Sequence, residues 1–595
     1  RIEYMKKYIY FFVVGAVCLL LSATAYAEDL NNSDANIIGH VLEKSSQEHL
    51  PYITVSLKGT TIGTMTDATG HYFLKNLPEG DFILQVSAVG YKAQSRKVTL
   101  KRGKTLEENF ELEEDLIALD GVVVTANRSE TTRRMAPTLV NVMDFKLFEN
   151  TNSATLSQGL NFQPGVRVET NCQNCGFQQV RINGLDGPYT QILIDSRPIF
   201  SALAGVYGLE QIPANMIERV EVMRGGGSAL FGSSAIAGTI NIITKEPLRN
   251  SGQLSHTITG VGGTSSWDNS TTMNASLVTD NSKAGLYIFG QNRERSGYDS
   301  DGDGFTELPK LKNQTVGFRS FLKTSAYSKL TFEYHHLQEF RRGGDLLNRP
   351  PHEANIAEQL RHSINSGGLK FDYFSPDEKH RLSVYASAQH IGRDSYYGGN
   401  QDLNAYGATK DFTWVAGSQY IYHFDRCLFM PSDLTGGVEY NQDNLKDDMW
   451  GYNRYTNQKV HIAGAFFQNE WRNRQWSILL GGRLDKHNLI NHVIFSPRAN
   501  IRFNPVENVN LRASYSVGFR APQAFDEDLH IENVGGTISM IELADNLKEE
   551  KSQSFSVSAD VYHRWGAFQG NFLLEGFYTN LSDVFALREI GVRDG

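Results

Sequence analysis

The sequence predicts a mainly β protein: an N-terminal β-sandwich, a mixed α/β unit after it, and a long antiparallel transmembrane β-barrel that is cut short at its C-terminal end. Three observations predict it. Apolar and polar residues alternate with period two through much of the chain after residue 250, turn signals recur at short intervals, and an export signal is followed by no second long apolar run.

The export signal comes first in the chain. Four residues precede Met5, then come Lys6 and Lys7, an apolar run over 8–21, and the small-residue site Ala25-Tyr26-Ala27. That order marks 5–27 as a secretory signal peptide, with the mature protein starting near Glu28. The apolar run is shorter than the roughly 20 residues that cross a bilayer as a helix. Val17 stands before Cys18, where a lipid-attachment site wants a small residue, so a lipoprotein is not expected. A mean hydropathy of −0.36 without another long apolar run excludes a helical membrane protein. The 54 glycines and 11% aromatic content suit many strands and turns, and the net charge of −9 argues against nucleic acid as a partner, which needs a basic face. After cleavage Cys172, Cys175 and Cys427 remain, too few for a disulfide framework, so the fold rests on hydrogen-bonded sheet.

Residues 36–114 read as the sandwich. Short apolar stretches, Ile53-Thr54-Val55-Ser56-Leu57 and Phe82-Ile83-Leu84-Gln85-Val86, alternate with turns at Asp67-Ala68-Thr69-Gly70 and Pro78-Glu79-Gly80. Gly63 to Asp67, Gly70-His71-Tyr72-Phe73 and Val89-Gly90-Tyr91 resemble the carboxypeptidase-regulatory-like domain that precedes many outer-membrane receptors. No hydrolytic metal site is visible, and His40 and His71 read as ordinary strand residues.

An acidic linker leads to the segment 119–127, with Val122-Val123-Val124-Thr125 at its centre. A β-branched run between polar stretches can add as a strand to the sheet edge of another protein, or it can be the last strand of the preceding module. Local sequence leaves both open.

Residues 136–245 form the mixed unit. Thr155 to Leu160 reads as helix; Gly165 to Val168, Val180 to Gly184 and Gln191 to Asp195 read as strands. Ile212-Pro213-Ala214, Ile217 to Val222, Arg224 to Gly232 and Ala237 to Thr244 follow. This ordered series resembles the plug domain of TonB-dependent receptors. The resemblance places Val122, Val123, Val124 and Thr125 where that family's TonB box lies. It implies an outer-membrane receptor, not an enzyme, that needs no resident cofactor and imports a scarce metal chelate (siderophore-iron, cobalamin or haem). The work for transport would come as tension from the TonB complex of the inner membrane. The alternatives are a carbohydrate importer of the same superfamily, with a surface lipoprotein as lid, and a non-transporting receptor or adhesin.

From residue 250 onward Leu511, Ala513, Tyr515 and Val517 alternate with Arg512, Ser514 and Ser516, and Leu330, Phe332 and Tyr334 alternate with Thr331, Glu333 and His335. One face then meets outer-membrane lipid and the other an aqueous lumen. Residues 251–595 make 345 positions, whereas a plugged transporter has ~22 strands of ~10 residues plus loops. The last strands are therefore expected to be missing, and the chain reads as a fragment at both ends.

Several side chains point to chemistry. Arg181, Glu218, Arg219, Glu221 and Arg224 are expected to lock plug to barrel, since charges among apolar neighbours are usually paired. Gly225 to Gly227 lacks the Gly-Lys-Ser/Thr ending of a phosphate loop. Cys172 and Cys175 fall in a loop that the resemblance turns outward toward substrate. Such a CxxC pair reads first as a small disulfide, with soft-metal coordination as the sharper alternative. Asp299, Asp301 and Asp303 with Glu307 offer hard oxygen ligands for calcium, although the glutamate comes too early for an EF-hand. Phe519-Arg520-Ala521-Pro522, His530 and the stretch 546–552 resemble paired boxes of haem receptors, with His530 as the haem ligand. Ala544-Asp545 depart from that pattern.

Overall fold

The computed structural model describes residues 33–592 except 89, 115–121, 173, 199–208, 264–265, 280, 523–531, 535–536, 540–541, 543, 545–546, 567 and 587. The signal-peptide segment 5–27 and His530 lie outside the described residues.

Among the described residues, 15 strands form one antiparallel sheet in which neighbours in sequence pair, from Ser251–Val261 at one edge to Phe568–Ser582 at the other. No described helix is long and apolar enough to cross a membrane. Strand length runs from 10 residues in Ile494–Phe503 to 22 in Tyr406–Cys427, and the longer strands exceed the ~9–11 residues that span a bilayer. The predicted alternation holds. In Lys310–Ser325 exposed and buried residues alternate through the first half, and Leu254, Phe332, Phe467 and Phe572 stand outward while Arg293, Arg341, Asp447 and Arg483 point inward and are buried. Outward apolar groups suit lipid; inward charges pair with one another, as Asp447 with Arg454 and Arg483 with Asp485, and with what fills the lumen, as Arg293 and Arg341 do.

Chain reversals distinguish the two ends. At one end the links are short, as at 326–327, 375–379, 428–429 and 473–475; at the other they run longer, as at 296–309 and 345–355. Short turns face the periplasm in barrels of this kind.

The lumen is filled by the mixed unit. Its sheet has the order Val140–Asp144, Ile217–Arg224, Gly238–Thr244, Thr190–Ile194, the last pair parallel. A hairpin, Val166–Cys172 with Phe177–Ile182, stands beside it. Val180, Ile182, Leu209, Ile217, Val220, Val222, Ile240 and Ile242 form the core. The Gly225 to Gly227 stretch has a packing role: a Cβ on Gly226 would lie 2.0 Å from Ser516 Oγ of the barrel wall.

Residues 36–112 fold as two small sheets around Ile37, Val41, Val55, Leu57, Leu84, Val86 and Phe110, the expected sandwich. Thr61 N donates to Ala326 O at 2.8 Å, which seats this domain at the short-turn end. His40 and His71 face each other in register, and with His49 their ring centroids lie 4.9–5.8 Å apart, a grouping that their separate reading as strand residues misses. Burial, then the neighbouring His49 and His71, hold His40 below its ordinary value.

Candidate functional site

Val122–Val123 forms a two-residue strand paired with Thr131–Thr132. Val123 and Thr125 are fully buried. The clamp on this segment is Glu221, whose Oε2 accepts from the amides of Val124 and Thr125, each at 2.9 Å, and from the Thr125 hydroxyl at 2.6 Å. Its other oxygen accepts from Arg219 Nε at 2.9 Å, which holds the carboxylate in place. Asn241 Nδ2 adds a bond to Thr125 Oγ1 at 3.0 Å. Just beyond, Asn127 donates to Glu470 at 2.6 Å and Arg128 pairs with Glu439 at 3.4 Å. Glu470 is two residues from the end of its strand at the 473–475 turn, so the segment sits toward the short-turn end. In this structure the strand-forming segment is stowed against the plug.

Fully or nearly buried ion pairs join plug and barrel. Glu210 meets Arg293 and Arg295 at 3.2 Å and Arg341 at 2.7 Å. Burial alone would push the Glu210 carboxyl up; Arg341, Arg295 and Arg293 outweigh it and hold it at about 2. A second knot links Asp195 and Arg197 of the plug to Arg319 and Glu333 of the barrel, with Arg197 Nη1 also donating to Ser387 at 2.9 Å. Of the five charges expected to lock plug to barrel, Arg224 does so through Glu575. The other four form their ion pairs within the plug: Arg181 with Glu169 and Asp186, and Arg219 with Glu218 and Glu221. Plug strand Ile217–Arg224 is central in its sheet, so its inner positions meet plug neighbours before they can reach the wall.

Cys172 and Cys175 sit at the tip of the plug hairpin, among Phe177, Leu360, Tyr397 and Met449 near the long-loop ends of the barrel strands. No disulfide joins Cys172 and Cys175 in this structure. Cys172 Sγ instead lies 3.3 Å from Glu358 Oε2 of the barrel wall.

Asp299, Asp301, Asp303 and Glu307 converge, their ligand oxygens all within 4.8 Å of one another. Asp299 accepts from the amides of Gly302 at 2.7 Å and Gly304 at 2.9 Å, which curls the loop around its carboxylates. Phe519 and Ala521 are buried, and Phe519 O accepts from the plug residue Ser234 at 3.1 Å, so this box braces the plug.

Residues 37–124 match the family described as CarboxypepD_reg-like domain, 132–239 the TonB-dependent Receptor Plug Domain, and 247–595 the family described as TonB dependent receptor-like, beta-barrel. The vitamin B12 transporter BtuB of Vibrio vulnificus strain YJ016 is 25% identical over 456 residues, spanning 74% of this chain and 68% of that protein. Its counterpart in strain CMCP6 is 38% identical over 125 residues, 21% of this chain and 20% of that protein. The siderophore receptor PirA of Acinetobacter baumannii has the same fold, with a TM-score of 0.64 and 18% identity over 76% of this chain and 71% of its own. FpvA of Pseudomonas aeruginosa, solved with a heterologous ferric pyoverdine, gives a TM-score of 0.61 at 13% identity over 79% of this chain and 68% of its own.

Proposed function

The chain belongs to the TonB-dependent receptor family, and we propose that within it this protein imports a scarce metal chelate, with siderophore-bound iron, cobalamin and haem as the substrate classes. The observation that carries this reading is the stowed segment at 122–125, tied to the plug by Glu221 and placed toward the periplasmic end. Members of the family work with TonB, and in this reading Val122 to Thr125 is what TonB grips, strand to strand through backbone hydrogen bonds. Ligand arriving at the outer face weakens the hold on the segment; tension then moves a plug that buried ion pairs otherwise fix in the lumen.

The relatives whose names specify vitamin B12 transport or siderophore reception support a metal chelate as cargo. Export by the signal peptide at 5–27, calcium on the acidic loop and contact of the Cys172 hairpin with ligand belong to the same proposal. A strain lacking this receptor is the test, grown on each iron or cobalamin source singly. Loss of growth on one chelate, restored by the gene, supports the reading and names the substrate; loss on a glycan alone supports a carbohydrate importer.

A further inference from the structure

The plug hairpin carries two thiols that its turn aims the same way. Cys172 ends the strand Val166–Cys172, and the sequence continues to Cys175 and Gly176. Gly176 adopts φ +70°, a left-handed conformation that suits glycine, and its amide donates to Cys172 O at 3.0 Å. The amide of Cys175 points at Cys172 Sγ at 3.5 Å. That N–H offers sulfur a hydrogen bond, while without a cation the Cys172 thiol donates to Glu358 Oε2 at 3.3 Å, the proton a bound cation would displace. A third donor comes from the barrel: the Glu358 carboxylate, on the strand Ile356–Phe374, faces the pair, and the three ligand atoms lie within 4.8 Å of one another. Cys175 is fully buried and Glu358 nearly so.

We propose that Cys172, Cys175 and Glu358 bind a thiolate-preferring divalent cation of the zinc class, shared between the plug's outer hairpin and the barrel wall. Zinc–sulfur bonds of about 2.3 Å and zinc–oxygen bonds of about 2.0–2.2 Å in tetrahedral geometry put sulfur and oxygen about 3.6 Å apart. The Cys172 Sγ to Glu358 distance of 3.3 Å is already close to that. Two cysteines separated by two residues are the usual spacing for one zinc ion. Two thiolates and a carboxylate together in a buried place repel one another, and a dication removes that cost while the two thiol protons leave to solvent. Three protein ligands leave the fourth position of the ion to water or to a donor entering from the outer mouth.

Occupancy of this site would pin the hairpin to the wall, because two ligands move with the plug and one does not. The inference stands apart from the transport reading, since its readout is metal content and not uptake. The test uses the full-length receptor, purified with reductant and without chelator, then equilibrated with zinc and dialysed. One zinc per receptor is expected, together with protection of both thiols from alkylation. Cadmium in place of zinc should give the ultraviolet charge-transfer band of cadmium thiolate. C172S/C175S should lose the metal and the band. Glu358→Gln, which keeps the shape of the side chain, should weaken zinc by roughly tenfold or more. Heat-modifiable gel mobility checks that each variant is folded. A disulfide in receptor isolated in parallel without reductant, thiols that alkylate equally with and without zinc, or zinc retained in C172S/C175S would each overturn the site. Unchanged affinity in a folded Glu358→Gln variant would overturn the sharing between plug and barrel.

Discussion

Glu221 holds Thr125 through both its backbone and its side chain: one carboxylate oxygen takes the Thr125 amide at 2.9 Å and the hydroxyl at 2.6 Å. Hydrogen bonds to a charged group contribute about 1.5–3 kcal/mol each, so Glu221→Ala should free the segment. A cysteine introduced at Val122 in the full-length receptor should then react faster with a water-soluble maleimide, without ligand, than it does beside Glu221. Equal rates in the two backgrounds would show that this carboxylate does not stow the segment.

Acid should loosen the plug through Glu210. Its carboxyl sits below the ordinary 4.5, at about 2. A depressed folded value means that its stabilisation is complete above the ordinary value and fades as pH falls through the folded one. Protease resistance of the plug is therefore expected to hold down to pH 4.5 and to decline from there toward about 2. Glu210→Gln should lose resistance already at neutral pH, since Arg295 loses its carboxylate and three guanidinium groups are left with Asp268 and Glu339 alone. A variant with the wild-type profile would contradict the role given to Glu210.

Calcium should order the loop at 296–309. With four carboxylates converging, binding on the order of 0.1–1 mM is expected, the range of extracellular calcium modules. Limited proteolysis with and without a calcium chelator reads this out, and Asp301→Asn should abolish the difference. Cleavage that ignores calcium would leave the loop as a solvated acidic turn.

The sequence announces the barrel because lipid imposes a constraint on every strand: outward Phe332 and Phe467 must be apolar whatever their partners are. The plug was legible through the order of its motifs, and the helix at Leu156–Leu160 and strand at Thr190–Ile194 fall where periodicity puts them. The seam was not legible, since its partners are far apart in the chain: Glu210 meets Arg293 across 83 residues and Arg197 meets Ser387 across 190. Arg219 and Glu221, two apart on one strand and so on one face, pair locally, but nothing local to Glu221 says that it also holds Thr125, 96 residues away. The cysteines show the same limit. Their spacing allows a disulfide or a metal, and what changes the reading is Glu358, 186 residues from Cys172.

The central claim is that pulling on Val122 to Thr125 drives import, and Val123→Pro tests it most directly. Val123 is paired with Thr131 and fully buried; proline there removes a backbone donor and disfavours an added strand. The measurement is accumulation of labelled chelate by cells, set beside binding at the surface of the same cells at low temperature, with the substrate found by the growth test. The account predicts binding near wild type and uptake reduced to that of a strain without TonB. Uptake at the wild-type rate in the Val123→Pro receptor, or binding and uptake lost together in a receptor that still reaches the outer membrane folded, would contradict it.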